Sequence, residues 1–124
     1  MGKITVETCA IEGLKVITPT VFGDARGYFY ESYHYEDYKA AGIPDVFVQD
    51  NQSASKRGVL RGLHFQIEHP QAKLVRVIKG EVYDVAVDLR EGSEMYGQWY
   101  GVLLSEENKK QFYIPKNFAH GFLV

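Results

Sequence analysis

At 124 residues, with 16 acidic against 14 basic side chains and a net charge of −2, the chain is long enough for one domain with its own core, and its charge gives no footprint for nucleic acid or an anionic membrane. Its single cysteine, Cys9, excludes an internal disulfide framework and fits a reducing compartment. No apolar run approaches the roughly 20 residues of a membrane-spanning helix, and the opening residues lack a signal-peptide pattern, so a cytoplasmic location is expected.

The opening stretch ITVETCAIEGLKVI alternates loosely and predicts one strand, or two broken near Glu12-Gly13. Pro19 follows, then turn material at Gly23-Asp24 and Arg26-Gly27. Tyr28 to Tyr33 alternates as a strand, with Arg26 and Glu31 beside it. HYEDYKAAG predicts the single helix, a short one stopped by Gly42 and Pro44. Val46-Phe47-Val48 restarts extended chain and runs into the polar loop QDNQSAS.

The stretch GVLRGLHFQ, from Gly58 to Gln66, is the centre of the reading. Val59, Leu60, Leu63 and Phe65 are expected at a buried sheet surface, with Arg61 and His64 directed into the cavity that the sheet encloses. After the loop IEHPQ, AKLVRVIKGEVYDVAVDLREG carries the strongest strand signal, with a turn at Lys79-Gly80. MYGQWYGVLLS predicts a further strand, EENKK a charged turn, and QFYIP a strand stopped by Pro115. Phe122-Leu123-Val124 reads as the start of a last strand. Short strands at regular spacing predict an all-β fold, an antiparallel jelly roll or cupin-like β-barrel with one short helix, forming a single domain over residues 1–124. An apolar strand at the end of the chain would leave an exposed sheet edge, so further chain or a second subunit is expected there.

Small barrels with histidines often hold a metal. Gly58 and His64 have the spacing of the first half of a cupin metal motif, but Gln66 stands where a second histidine is needed. The only acid of the following loop, Glu68, comes too early and sits beside His69 and Pro70. The second half keeps Pro115 and His120, with Asn117 in place of the usual glycine. Two histidines and an amide are too few for a tight transition-metal site, so no metal is expected.

Acid–base chemistry has better support. His64, Lys73, Asp84 and His120 all lie in apolar strand contexts. Each has a structural reading on its own: a satisfied core histidine, a lysine that snorkels to water, an aspartate that pairs with a backbone turn. Four such groups in one small barrel point to a site for proton transfer or carbonyl polarisation, because unpaired buried charge is costly. Arg26, Lys56, Arg57 and Arg61 add a candidate anion site, although Lys56-Arg57 reads as an ordinary solvated loop.

The segments FGDARGYFYESY, FVQDNQSASKRGVLRGLHFQ, QAKLVRVIKGEVYDVAVDLR, Ser93 with YGQW, and YIPKNFAHGFLV resemble the motifs of the dTDP-4-dehydrorhamnose 3,5-epimerase family. The resemblance runs from Phe22 onward. It implies a cupin-type jelly roll that works without metal or other cofactor, a homodimer, and a thymidine-diphosphate keto sugar as substrate. The implied reaction is epimerisation at C3 and C5 of dTDP-4-dehydro-6-deoxy-glucose to dTDP-4-dehydro-L-rhamnose, in dTDP-rhamnose biosynthesis. It further implies that His64 is the general base and that Lys73 sits near the 4-keto oxygen. Arg61 and His120 resemble substrate contacts. Arg26, Glu31, Gln49 and Asn51 resemble residues that hold the nucleotide-sugar, some of them across the dimer interface. Asp84, singled out by its strand context, joins them as a supporting group. Family members run longer, and their general-acid tyrosine and the carboxylate that orients the base lie past the position of Val124. Two other readings stand beside this one: a single-centre epimerase or keto-sugar isomerase on the same scaffold, and a non-catalytic fragment that binds the sugar nucleotide.

Overall fold

The computed structural model describes residues 3–65 and 70–124. Gln66, Glu68 and His69, which entered the metal argument, lie outside the described residues. The elements in chain order are β1 (Ile4–Thr8), β2 (Lys15–Pro19), β3 (Val21–Asp24), β4 (Gly27–Tyr30), α1 (Tyr35–Ala40), β5 (Leu60–His64), β6 (Lys73–Arg76), β7 (Glu81–Asp88), β8 (Trp99–Ser105), β9 (Gln111–Ile114) and β10 (Phe118–Leu123). They form a four-stranded sheet in the order β1-β2-β9-β6, a second in the order β5-β10-β7-β8, and the separate hairpin β3-β4. Every described pairing is antiparallel. The fold is the expected antiparallel, cupin-like jelly roll with one short helix.

Alternation along the strands explains the layers. On β9, Phe112 and Ile114 face the space between the sheets, where they pack with Val16, Ala86, Leu104 and Phe118. Tyr113 faces the other way, into a second core with Ile17, Tyr38 and Ile43. Helix α1 supplies Tyr38 to this outer core. Its hydroxyl donates to Gln111 Oε1 at 2.6 Å, while Gln111 Nε2 donates to the Ser32 carbonyl at 2.8 Å. Burial pushes the Tyr38 hydroxyl up to about 12. The His34 side chain caps the helix by accepting from the Asp37 amide. The short helix therefore has a definite role: it seals the outer face of the first sheet.

Of its two expected forms the opening stretch takes the second, two strands, β1 and β2, with the turn between them holding Gly13 at φ 102°. Other expectations need correction. The predicted strand over Tyr28–Tyr33 is shorter, ending at Tyr30 as the second arm of the β3-β4 hairpin. An Asx turn closes that hairpin, with the Arg26 amide donating to Asp24 Oδ1 at 2.8 Å. The last strand begins at Phe118, not Phe122, and lies between β5 and β7. It is an interior strand, so the expected exposed apolar edge is not there. The edge strand on that side of the sheet is β5 instead. Leu60 is 74% exposed and Leu63 58%, against the expectation that they line a buried surface. An edge strand has one neighbour, and among the described residues β5 packs chiefly on β10, so the opposite sheet gives it little cover.

A polar clasp holds the end of β7 to the start of β10. The buried Asp88 carboxylate accepts from the Arg90 amide at 2.9 Å, from Arg90 Nε and Nη2 at 3.0 and 2.9 Å, and from Ser93 Oγ at 2.6 Å. The Arg90 guanidinium also lies 4.8 Å from the Phe118 ring centre. Hydrogen bonds from Arg90, followed by those from Ser93, hold the Asp88 carboxyl down to about 2, from an ordinary 3.8. A folded-state value below the unfolded one contributes stability above about pH 3.8, and the contribution is lost as pH falls through about 2. Asp88→Asn is therefore expected to lower stability at neutral pH, with the gap to the native protein closing below pH 3.8. Urea unfolding of both proteins across that range checks this; a pH-independent gap would be the contrary result.

Candidate functional site

Two sheets contribute the candidate site. On β6, Lys73 lies opposite Ile114 and Val75 opposite Phe112, so Lys73 shares the inward-facing side of the first sheet. On the second sheet His64, at the end of β5, lies opposite His120 on β10. His64 and Lys73 then meet at a small pocket of about 30 Å³, lined also by Phe65, Pro70, Gln71, Asn117 and Phe118. His64 keeps much of its surface in water, unlike the enclosed histidine expected, because it stands on the edge strand. Among the described residues no carboxylate pairs with it.

His120 is different. It is buried at 9% exposure, and its Nε2 lies 2.5 Å from Asp84 Oδ1 on β7. Taken alone, Asp84 has the structural reading of pairing with a backbone turn; the partner it has is this imidazole. The two residues are diagonal neighbours, since His120 lies opposite Ala86 and Asp84 opposite Phe122. The structure thus brings the four ionisable residues singled out by sequence together as two pairs. His64 and Lys73 line the pocket, and the His120–Asp84 pair lies beside them in the sheet.

The remaining candidates lie elsewhere. None of Arg26, Glu31, Gln49, Asn51 and Arg61 lines the pocket. Arg61 is exposed on β5 and donates from Nε to Ser55 Oγ at 2.9 Å. Gln49 Nε2 donates to Asn51 Oδ1 at 3.2 Å, both on an exposed loop. Arg26 stands at the tip of the β3-β4 hairpin, its side chain 91% exposed and paired with Asp24 at 2.7 Å. Glu31 follows β4, and its Oε1 is buried without a hydrogen-bond partner among the described residues. A larger cavity, about 260 Å³, lies beneath the hairpin between Tyr28, Tyr30, Arg76 and Lys109, and holds none of the sequence-predicted site residues. Among the described residues, the one grouping with the donors and spacing for a metal is Glu31, His34 and Asp37, which includes neither His64 nor His120.

Sequence reasoning missed two parts of the site. Asn117 and Phe118 line the pocket, and Asn117 adopts φ 69°. That left-handed turn explains why an asparagine can stand where glycine is usual. The glycines of RGLH and AHGF are the other omission. A side chain on Gly121 would meet Arg61 O and Gly62 Cα at 2.8 Å, so the two glycines set the close approach of β5 and β10 that brings His64 to His120.

The model of the dTDP-4-dehydrorhamnose 3,5-epimerase family matches residues 8–124. The chain is similar to the protein of that name from Methanothermobacter thermautotrophicus, with 57% identity over 124 residues that cover 100% of this chain and 67% of the relative. The relative of the same name from Pseudomonas aeruginosa is 59% identical over 116 residues, covering 93% of this chain and 64% of the relative. Among solved structures, the dTDP-6-deoxy-D-glucose-3,5-epimerase of Legionella pneumophila, in complex with dTDP-4-keto-L-rhamnose, superposes with a TM-score of 0.95 at 56% identity, covering 98% of this chain and 65% of that one. A 3'-monoepimerase from Streptomyces bikiniensis, in complex with dTDP-quinovose, superposes at 0.86 with 32% identity, covering 94% and 60%. The chain spans about two thirds of the length of the relatives it matches.

Proposed function

The chain belongs to the dTDP-4-dehydrorhamnose 3,5-epimerase family, and from that premise we propose that it epimerises C3 and C5 of dTDP-4-dehydro-6-deoxy-glucose, giving dTDP-4-dehydro-L-rhamnose for dTDP-rhamnose biosynthesis. The observation that carries the proposal is the meeting of His64 and Lys73 at one pocket from two different sheets. A carbon next to a ketone gives up its proton to an imidazole only if the enolate oxygen is stabilised as it forms. His64 takes that proton, and Lys73 supplies positive charge at the 4-keto oxygen. The carbon inverts when a proton returns to the opposite face. No tyrosine lines the pocket among the described residues, so that acid comes from outside this lining. Arg61 and His120 contact the substrate. The test is deuterium incorporation from heavy water into C3 and C5 of the keto sugar. Retention of both original protons while the nucleotide-sugar binds would leave the non-catalytic reading.

The nucleotide end of the substrate requires Arg26, Glu31, Gln49 and Asn51, which do not reach the pocket of their own chain. The β3-β4 hairpin exposes Phe22, Tyr28 and Phe29 at 48%, 63% and 61%. An exposed apolar arm of this kind is suited to packing on a second copy. We place the protein as a homodimer in which Arg26 or Glu31 lies near the partner's pocket. Sedimentation is expected to give twice the chain mass, and a monomer that binds the nucleotide-sugar at full strength would contradict this. No described helix is long and apolar enough to cross a membrane, and the substrate class fits the cytoplasm.

A second reading has specific support in the 3'-monoepimerase among the similar structures. A single-centre enzyme would label only one of the two carbons in the same assay. Since His64 and His120 are the only cupin-motif histidines, the reaction is also proposed to need no metal. Exhaustive EDTA treatment should leave turnover unchanged; loss that zinc or iron restores would overturn this point.

A further inference from the structure

We infer that Asp84 is a positioning residue that fixes the ring tautomer of His120, leaving Nδ1 as the imidazole nitrogen that meets the sugar. The inference deepens the proposed epimerase site and rests on that reading for its consequence in turnover. Asp84 is 0% exposed, in the interior of the sandwich. A carboxylate in such a place needs a partner, because removing its charge from water without one is costly. Its Oδ1 lies 2.5 Å from His120 Nε2, and Oδ2 has no hydrogen-bond partner among the described residues. An ionised carboxylate only accepts, so the shared hydrogen belongs to Nε2. In a neutral imidazole that leaves Nδ1 unprotonated, an acceptor for a sugar hydroxyl.

The surroundings support this arrangement. Phe122 flanks the His120 ring, with centroids 6.0 Å apart. Ala86, opposite His120 on β7, is fully buried and offers the ring no competing side-chain donor or acceptor. On the other side, β5 presents His64 directly opposite. The carboxylate therefore anchors one ring nitrogen and leaves the other free, on a residue whose register partner is His64. Asp84→Asn would keep the shape but could offer its amide N–H to Nε2, which favours the opposite tautomer with hydrogen on Nδ1.

The test uses the protein with isotope-labelled histidine, observed by long-range proton–nitrogen NMR, with the His120 signals assigned by their loss in His120→Gln. The native protein is expected to show His120 with hydrogen on Nε2, and Asp84→Asn to show hydrogen on Nδ1. Turnover of Asp84→Asn should fall, by up to about 10⁴-fold, the loss that accompanies an active-site imidazole held in the wrong tautomer. Hydrogen on Nδ1 in the native protein would overturn the inference, and that spectrum decides even if the variant does not fold. A switched tautomer with native turnover would overturn the positioning role. If the native protein shows no epimerisation, the epimerase reading falls, while the spectra still decide what Asp84 does to His120.

Discussion

His64→Asn in the active enzyme is expected to lower turnover by about 10²–10⁴, the range for loss of a general base, while folding and nucleotide-sugar binding persist. The structure explains why the effect should be confined to chemistry. His64 stands at the exposed end of an edge strand, outside both hydrophobic cores, so an amide of similar size removes no buried contact. Its β-ladder pairing with His120 is made by the backbone and survives the change. Lys73→Ala should also lose turnover, through a higher barrier to the enolate, with proton exchange at C3 and C5 slowed as well. Deuterium wash-in reports proton removal even where epimerisation stalls. Native exchange at both carbons in His64→Asn would assign the base elsewhere, and His120 would be the next residue to test.

The parts of this fold that depend on neighbours in sequence were legible before the structure. The alternation through Leu74–Leu89 and the turn at Lys79-Gly80 yield β6 and β7, with Gly80 at φ 80°. The helix over HYEDYKAAG is present, with Gly42 at φ 95° at its end. Periodicity assigns a residue to a face, but it does not say which strand lies alongside. For that reason β5 was read as buried when it is an edge, and β10 as an edge when it is interior. The same gap hid the partner of Asp84, which lies on another strand, 36 residues away at His120. The types of the four ionisable groups were sufficient to propose a proton-transfer site. Their grouping as one pocket pair and one buried pair required the topology.

Gly121→Ala is expected to be the most disruptive small substitution in the chain. Gly121 lies on β10 between His120 and Phe122, where the pairing with β5 shifts register. Its φ is not among the positive values, so alanine meets no backbone strain there. The cost comes from contact. The new methyl would lie 2.8 Å from Arg61 O and from Gly62 Cα, both backbone atoms, and 3.1 Å from Leu63 Cδ2. A leucine end can rotate away, but a strand backbone cannot, so β5 has to move. Overpacking of this kind typically costs about 1–3 kcal/mol. Displacement of β5 also carries His64 away from His120, so turnover should fall further than the stability loss alone would imply. Gly101 provides the control. A methyl there would meet the Tyr83 ring and its hydroxyl, yet Tyr83 is 40% exposed and can swing toward water. Gly101→Ala should therefore stay closer to native in stability and activity. Urea unfolding, amide exchange in β5 and turnover, measured on both variants, distinguish the cases. Equal behaviour of the two, or native protection of the β5 amides in Gly121→Ala, would show that the close approach of the two glycines does not hold His64 in place.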